Sequence, residues 1–580
     1  MKIGGGSIVT RALEDEGIPF TFGIPGTHNI ELYDALAESD SVRPILVTDE
    51  QGASFMADGV WRASGRMGCV NIVPGAGLTH AMSGIAEAFM DNVPMLVLGC
   101  GIRRDTSHAF QLHDVDQTAM VAPVTKGQFR PSTGDDLYSS IREACRLARS
   151  GAPGPVFVEV PADLYMLKQV VTSEWHAVTS GDPPSDESAT WDADTLARTV
   201  ELLEGAKRPL IYVGAGAATA REQVLALAEA LEAPVSSTFQ GKGVFPEDHP
   251  LFLWPGFGRS APRFVREVAS DCDLTLAVGC RFSEVGTGSY GFDIPGPLIH
   301  VDIDPGVPGA NYDAEVEVVA DAADFLGAVL EGLGTLAKPE DRRLRDRICE
   351  GHAQVWDGWL RSVGGERVTP AHLLRSLQEL LGPETIYTTD SGNGTFLAME
   401  ALRLTEPGKY LAPIDFSCMG YSVPAAVGAK LARPDCPVVA LAGDGAFLMT
   451  GLEVMTAVQQ GVGIIVLVLR DRELAQIAQF QGTALNRKVS TSLADYDLDA
   501  FARGMGAHAL SMSGDDEVHD VIERAQSFAS EGEPVLVDVA IDYSERTYFT
   551  KGILKTNLLR FSLRERARLI ARALVRKVTG

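Results

Sequence analysis

The sequence predicts an α/β protein made of three consecutive doubly wound parallel-sheet domains and a basic C-terminal helical tail. Three observations carry that expectation. The chain has 580 residues, too many for one hydrophobic core, because single cores stop growing near ~250–300 residues. Two polar stretches, the Pro-rich Thr179 to Asp192 and the charged Ala337 to Arg347, divide it into blocks. Within each block short apolar runs alternate with helical patterns and end in glycine turns, as parallel strands covered on both faces by helices do. The expected domains are 1–175, 192–336 and 367–545, with the tail at 546–580.

In the first block, Val47-Thr48-Asp49-Glu50-Gln51 leads into a helical run through Ala57 and Ala63, which puts Glu50 at a strand-to-helix boundary. A carboxylate there is partly desolvated and its pKa is expected to rise. Glycine turns follow the apolar runs at Thr21-Phe22-Gly23-Ile24-Pro25-Gly26-Thr27-His28 and at Val73-Pro74-Gly75-Ala76-Gly77-Leu78-Thr79-His80. The middle block opens with Leu210-Ile211-Tyr212-Val213-Gly214-Ala215-Gly216, a strand and a G-x-G turn that by itself is only a structural turn.

The third block carries the most chemistry. An apolar run from Val438 to Leu441 ends in Gly443-Asp444-Gly445, a helical pattern follows through Leu452, Met455 and Val458, and a second apolar run from Ile464 to Leu469 ends at Asp471. This is strand, tight turn, helix, strand, with backbone N–H groups and a helix N-terminus facing an incoming anion at the turn. Asp444 and Asp471 sit at neighbouring strand ends and can share one hard cation, so the reading is magnesium with a diphosphate.

The tail is basic: residues 551–580 hold nine Lys or Arg and one acid in a chain of net charge −27. Leu559, Leu563, Ala567, Ile570, Leu574 and Val578 form one helical stripe. Such a helix either packs on its own acidic body, the favoured reading, or lies on an anionic membrane surface. The acidic charge argues against nucleic acid. The eight cysteines show no C-x-x-C pairing and read as reduced core residues, and Met1-Lys2-Ile3-Gly4-Gly5-Gly6 has no secretory apolar region, so a cytoplasmic location is expected, with the inner face of a membrane as the tail's alternative contact.

Gly443-Asp444-Gly445 with Asp471 about 27 residues after Asp444, taken with Glu50, resembles the signature of thiamine diphosphate enzymes. Further matches are Asp390-Ser391-Gly392-Asn393, Cys418-Met419-Gly420-Tyr421, and Ala109-Phe110-Gln111 followed by Asp116-Gln117. The resemblance is to the acetolactate synthase, pyruvate oxidase and 2-keto-acid decarboxylase group and covers residues 1 to about 545. It implies pyrimidine-binding, central and diphosphate-binding domains, the outer two sharing one fold, although no repeat is visible in the sequence.

The resemblance also implies roles. Glu50 is the acid that activates the aminopyrimidine, and Gly26 and Gly75 belong to the pyrimidine side. Asn393, Gly443, Asp444, Gly445 and Ala446 hold the diphosphate, with Asp444, Asp471 and Glu473 on magnesium, and Met419 props the cofactor in its bent form. Where the family has Asn, this chain has Asp471, an added charge that Arg470 or Arg472 is expected to offset. Gly214, Gly216, Arg281 and Asp302 fall where flavin-binding members contact FAD, but Ser283-Glu284-Val285 departs from the acetolactate synthase pattern there.

Phe110 and Gln111 match acetolactate synthases on the acceptor side, whereas Gln476 and Phe480 replace their usual Met and Trp. His28 stands where a related lyase has a proton-shuttling histidine, with His113 as a second candidate. The implied activity is a C–C lyase or carboligase of small carbonyl substrates, 2-keto acids or acyloins, resembling acetolactate synthase. A flavin-dependent 2-keto acid oxidase and a non-oxidative decarboxylase are the alternatives, and intact Glu50 and Asp444 argue against a silent scaffold. The implied assembly is a homodimer or homotetramer in which Glu50 and Asp444 of one site come from different subunits.

Overall fold

The computed structural model describes residues 1–172 and 191–579. Three six-stranded parallel sheets, each flanked by helices, follow one another along the chain. Strand β1 (Lys2–Gly4) pairs antiparallel with β8 (Lys168–Val170) in a small ribbon that ties the start of the first domain to its end.

The first sheet contains β2 (Phe20–Gly23), β3 (Arg43–Leu46), β4 (Gly68–Ile72), β5 (Met95–Gly101), β6 (Gln128–Phe129) and β7 (Pro155–Pro161), in the order β3-β2-β4-β5-β7-β6. The second contains β9 (Pro209–Val213), β10 (Val235–Ser237), β11 (Phe252–Pro255), β12 (Leu274–Val278), β13 (Leu298–Asp302) and β14 (Val316–Val319), in the order β11-β10-β9-β12-β13-β14. That is the doubly wound dinucleotide-fold order, with its switch point between β9 and β12. The third contains β15 (Ile386–Thr389), β16 (Tyr410–Leu411), β17 (Val438–Gly443), β18 (Ile465–Leu469), β19 (His508–Met512) and β20 (Val535–Val539), in the order β16-β15-β17-β18-β20-β19. The central strands β4, β5, β7, β17 and β18 are buried almost throughout, so their sequences read as continuous apolar runs without alternation.

The outer two domains share one core. The helix Glu50–Ser64, capped by Asp49 at its start and by Gly65 in the left-handed region at its end, lies along the helix Ser422–Ala432. The contact is backbone to backbone: a β-carbon at Gly59 would lie 2.4 Å from the Ala425 carbonyl oxygen, and one at Gly428 would lie 2.1 Å from that of Met56. A buried polar knot locks the same seam. Arg62 bridges Asp58 (2.7 Å) and Asp91 (2.9 Å), and the Tyr421 hydroxyl donates to Asp58.

Of the two expected linkers, nearly all of Thr179 to Asp192 lies outside the described residues. Ala337 to Arg347 is not a free linker. The helix Arg342–Trp359 begins inside it, capped by Asp341, and Arg345 makes a bidentate pair with the buried Glu232 of the central domain. Charge here marks ion pairing on a helix surface, a pattern that a linker shares in composition.

The tail is two helices, Tyr548–Arg560 and Leu563–Thr579, where one stripe was expected. Ser562 and Glu565 form a reciprocal capping box that starts the second helix, a Ser-x-x-Glu signal present in the sequence. The first helix is docked on the body. The Glu400 carboxylate accepts from the Tyr548 and Phe549 N–H groups (3.1 and 2.7 Å), and Phe549 packs against Phe239 and Phe396. The second runs beside the helix Ala475–Leu485. Among the described residues no helix is long and apolar enough to cross a membrane.

Candidate functional site

The third sheet offers open glycine turns beside two carboxylates. Strand β17 ends at Gly443 and the helix Asp444–Thr450 begins at the next residue, so its first N–H groups point out of the carboxyl edge of the sheet. Gly445 and Ala446 follow in that first turn, Ala446 with its methyl buried. A β-carbon at Gly443 would meet nothing within 4 Å, and the same holds for Gly392 at the end of β15, where φ is +142° and the helix Asn393–Ala401 begins. Both turns leave the backbone approachable by an anion.

Buried Asp390 shapes this bed. It accepts from the N–H groups of Ser391 (2.9 Å), Gly420 (2.8 Å) and Ser422 (3.0 Å), which pins the Cys418–Ser422 loop to the β15 turn. Met419 on that loop reaches Gly445, its Cε 3.7 Å from where a β-carbon there would sit.

Asp444 accepts from the N–H groups of Gly445 (2.8 Å) and Arg472 (2.8 Å), and burial raises its pKa. Asp471, at the end of the adjacent β18, has its pKa pushed up to about 6, first by burial and then by the charges of Asp444 and Glu473. Two carboxylates that disfavour each other's charge in a half-buried turn suit a divalent cation, which would relieve both. The Glu473 carboxylate pairs with Lys488 (2.6 Å), and its N–H donates to Asp471 (3.2 Å). Arg470 and Arg472 do not offset Asp471 directly: Arg470 pairs with Asp495 and Asp538 (both 2.5 Å), and Arg472 pairs with Asp495 (2.9 Å).

The first sheet presents the other half. Gly26 sits so close to Val73 that a β-carbon there would lie 2.4 Å from a Val73 methyl, which brings the β2 turn against the β4 turn. Gln117 holds the β4 turn: its side chain accepts from the Gly75 N–H (3.0 Å) and donates to the Cys100 carbonyl (2.9 Å). Glu50, the first residue of its helix and 6% exposed, directs one carboxylate oxygen to within 3.2 Å of where a β-carbon of Gly77 would sit. His28 and His113 meet edge to face at the rim, ring centroids 5.7 Å apart, and burial with His113 beside it lowers the His28 pKa. Phe110 is not brought to Glu50. It is fully exposed at φ +60°, on the loop that also carries the half-buried Gln111.

One segment links the two halves within the chain. Glu453 accepts from the N–H groups of Thr48 (3.3 Å) and Asp49 (3.1 Å), so the turn before Glu50 rests on Glu453, at the far end of the segment that Asp444 opens. Leu452 and Met455 of the expected helical pattern are about half exposed together with Leu448 and Met449, an apolar face left without cover.

In the central domain, Gly214, Gly216, Arg281 and Asp302 do gather at the carboxyl ends of β9, β12 and β13, but not as an open cradle. Gly214 and Gly216 pack directly on Gly279, whose carbonyl accepts from the Gly216 N–H (3.1 Å), and Arg281 is held by Asp415 (2.6 Å) and the Met90 carbonyl. Asp302 accepts from the Asp304 N–H (3.0 Å). Phe282 fills the space beside them, stacked on Tyr212 at 5.4 Å.

His80 received no role from sequence reasoning although it lies in a quoted motif. Its Nδ1 is 3.3 Å from Asp49 and 3.4 Å from Glu50, and the three form the only group of three ligand-type side chains so closely gathered among the described residues. The signal was its place in the first turns of the helix after Gly75, which face Glu50.

The chain matches the thiamine pyrophosphate enzyme N-terminal TPP binding domain over residues 3–120, the central domain over 196–329 and the C-terminal TPP binding domain over 390–539. It is 30% identical over 553 residues to a probable acetolactate synthase large subunit of Methanocaldococcus jannaschii, covering 93% of this chain and 92% of that one. It is 31% identical to an acetolactate synthase large subunit of Corynebacterium glutamicum (93% and 87% covered) and 29% identical to the acetolactate synthase isozyme 3 large subunit of Escherichia coli (94% and 96%).

Proposed function

This chain belongs to the thiamine pyrophosphate enzyme family, as an enzyme of the acetolactate synthase type, and on that premise we propose a magnesium-dependent carboligase of 2-keto acids and related carbonyl compounds. The observation that carries the reading is the pairing of two half-sites: open turns beside Asp444 and Asp471 on one sheet, and buried Glu50 between two packed glycine turns on another. Thiamine diphosphate, when bound, supplies a carbon nucleophile and takes up the electron pair released when the bond beside a carbonyl breaks.

The protein's part is positioning and proton handling. The N–H groups after Gly443 and the turn at Gly392 would bind the diphosphate, and Asp444 and Asp471 would hold the magnesium beside it. Met419 would pack against the cofactor, and Glu50 would serve as acid and base for its pyrimidine ring. His28, whose pKa burial lowers, serves with His113 as acceptor and donor at the substrate's oxygen, and Gln111 stands on the acceptor side.

A homodimer or larger homo-oligomer completes this site. The uncovered face of Leu448, Met449, Leu452 and Met455 supports a second copy packed there, and the family resemblance sets that copy's Asp444 opposite Glu50. The proposed carboligation itself needs no electron acceptor, so we place no flavin in it, and the visible spectrum of purified protein tests this directly. The carboligase reading is tested by products: pyruvate, alone or with an aldehyde, is expected to give acetolactate or acyloins faster than acetaldehyde, because a positioned acceptor competes with solvent protons. Predominant acetaldehyde would move the assignment to a decarboxylase, and acetate formed with flavin bound would move it to an oxidase.

A further inference from the structure

We propose that His80 is a positioning residue that passes protons between solvent and Glu50. The inference rests on the reading of Glu50 as the acid of cofactor activation. That role requires Glu50 to give up and regain a proton in each cycle, yet its side chain is only 8% exposed. A buried carboxyl group exchanges slowly unless another group conducts its proton.

The structure supplies such a group. His80 Nδ1 lies 3.4 Å from Glu50 Oε2, and the His80 side chain is 58% exposed. One face of the imidazole thus meets the buried acid while the ring reaches the surface. Asp49 directs Oδ2 to the same Nδ1 at 3.3 Å, while its Oδ1 caps the helix through the Gln51 N–H (2.8 Å), so Asp49 is fixed in place and orients the ring. Asp49 and Glu50 from one helix are the only charged groups within ion-pair distance of His80 among the described residues.

The backbone around the ring is also set. The helix Ala76–Met90 that carries His80 starts at Gly75, which Gln117 anchors, and the Thr79 N–H donates to the Gly75 carbonyl (3.0 Å). The relay balances without a further reactant. Once Glu50 has protonated the pyrimidine, Nδ1–H transfers its proton to Glu50 Oε2 while Nε2 takes one from water. The return half-cycle runs in reverse, and the two nitrogens of one ring make this possible because the ring can carry a proton on either.

The test is the rate at which the thiazolium C2 proton of bound thiamine diphosphate exchanges for deuterium, read by quenched-flow NMR alongside cofactor affinity from fluorescence quenching. In His80→Leu and in the polar His80→Gln, exchange is expected to slow at least about tenfold with affinity within about twofold of the parent, and added imidazole to restore much of the rate. Parental exchange in both variants would overturn the relay. Slowed exchange that imidazole does not restore, or that comes with weaker cofactor binding, would assign His80 a packing role and overturn it as well. If His80→Leu does not fold, His80→Gln decides alone. Glu50→Gln separates this from the underlying reading: if it loses exchange while the His80 variants keep it, only the relay fails, whereas parental exchange in Glu50→Gln removes the role of Glu50 itself.

Discussion

The first and third sheets are wired alike, β3-β2-β4-β5-β7-β6 against β16-β15-β17-β18-β20-β19, with each strand in the corresponding place of its own domain. Their chemistry differs because their loops differ. In the first, the glycines of the β2 and β4 turns pack on neighbouring turns and bring a lone buried acid, Glu50 after β3, to the edge of the sheet. In the third, Gly392 and Gly443 face open space, and the acids follow β17 and β18. One scaffold yields a proton-transfer half-site and an anion-and-metal half-site, and neither is complete alone. The central sheet has a different order, and its glycines are spent on protein packing.

The contrast is broken most severely by removing each half in turn. Asp444→Ala is expected to abolish magnesium-dependent cofactor binding and turnover together, measured by calorimetry and by pyruvate consumption. Glu50→Gln should lose at least about a thousandfold in turnover with cofactor affinity nearly unchanged. If Glu50→Gln instead fails to bind cofactor, the division between the two half-sites is wrong. Mixing the two inactive chains sharpens the point. If sites are shared between subunits, random heterodimers carry one intact site each, and roughly a quarter of parental activity should return. Confirmed subunit exchange with no recovery would place each site within one chain.

How much of this was legible in the sequence follows the same division. The turn at Gly443-Asp444-Gly445 and the position of Glu50 are local, set by adjacent residues, and they stand where the apolar runs placed them. The pairing of Arg470 with Asp538 and of Glu473 with Lys488, and the stacking of Gly216 on Gly279, are contacts between segments far apart in the chain, which no periodicity encodes. The apolar positions Leu452 and Met455 were readable as a helix face, but whether that face meets the chain's own core or a second copy is a tertiary fact. The shared wiring of the outer domains was invisible as a sequence repeat because topology constrains strand order and leaves residue identity free.

A smaller effect tests the seam between the outer domains. Gly59→Ala and Gly428→Ala each drive a methyl into a carbonyl oxygen of the facing helix, and neither backbone can yield without parting the helices. Each is expected to destabilise the chain by about 1–3 kcal/mol, seen as a lower urea midpoint. Gly443→Ala, whose new methyl meets open space, should leave stability nearly unchanged while weakening diphosphate binding. The same substitution thus reads as packing in one place and as ligand space in the other.

A separate effect concerns pH, and it comes from acids that take no part in the chemistry. Burial raises Glu87 to about 9, with Asp91 adding to the rise, and raises Glu400 to about 8. Both pKa values lie above those of the unfolded chain, so the folded state holds more protons between pH 5 and 8, and the stability these groups contribute is full at low pH and lost as pH climbs through their folded values. Each can contribute at most about 1.4 kcal/mol per pH unit across that window. The urea midpoint should therefore fall from pH 5 to pH 9. Glu87→Gln and Glu400→Gln should each flatten the fall, since an amide oxygen can still accept from Cys418 N–H in one case and from Tyr548 and Phe549 in the other. Glu400→Ala differs, because it removes the acceptor that caps the first tail helix. It should release the tail, detected as faster proteolysis after residue 547, with the seam around Glu87 undisturbed. If Glu400→Gln and Glu400→Ala release the tail equally, the cap is not what holds it, and the packing of Phe549 between Phe239 and Phe396 must carry the docking instead.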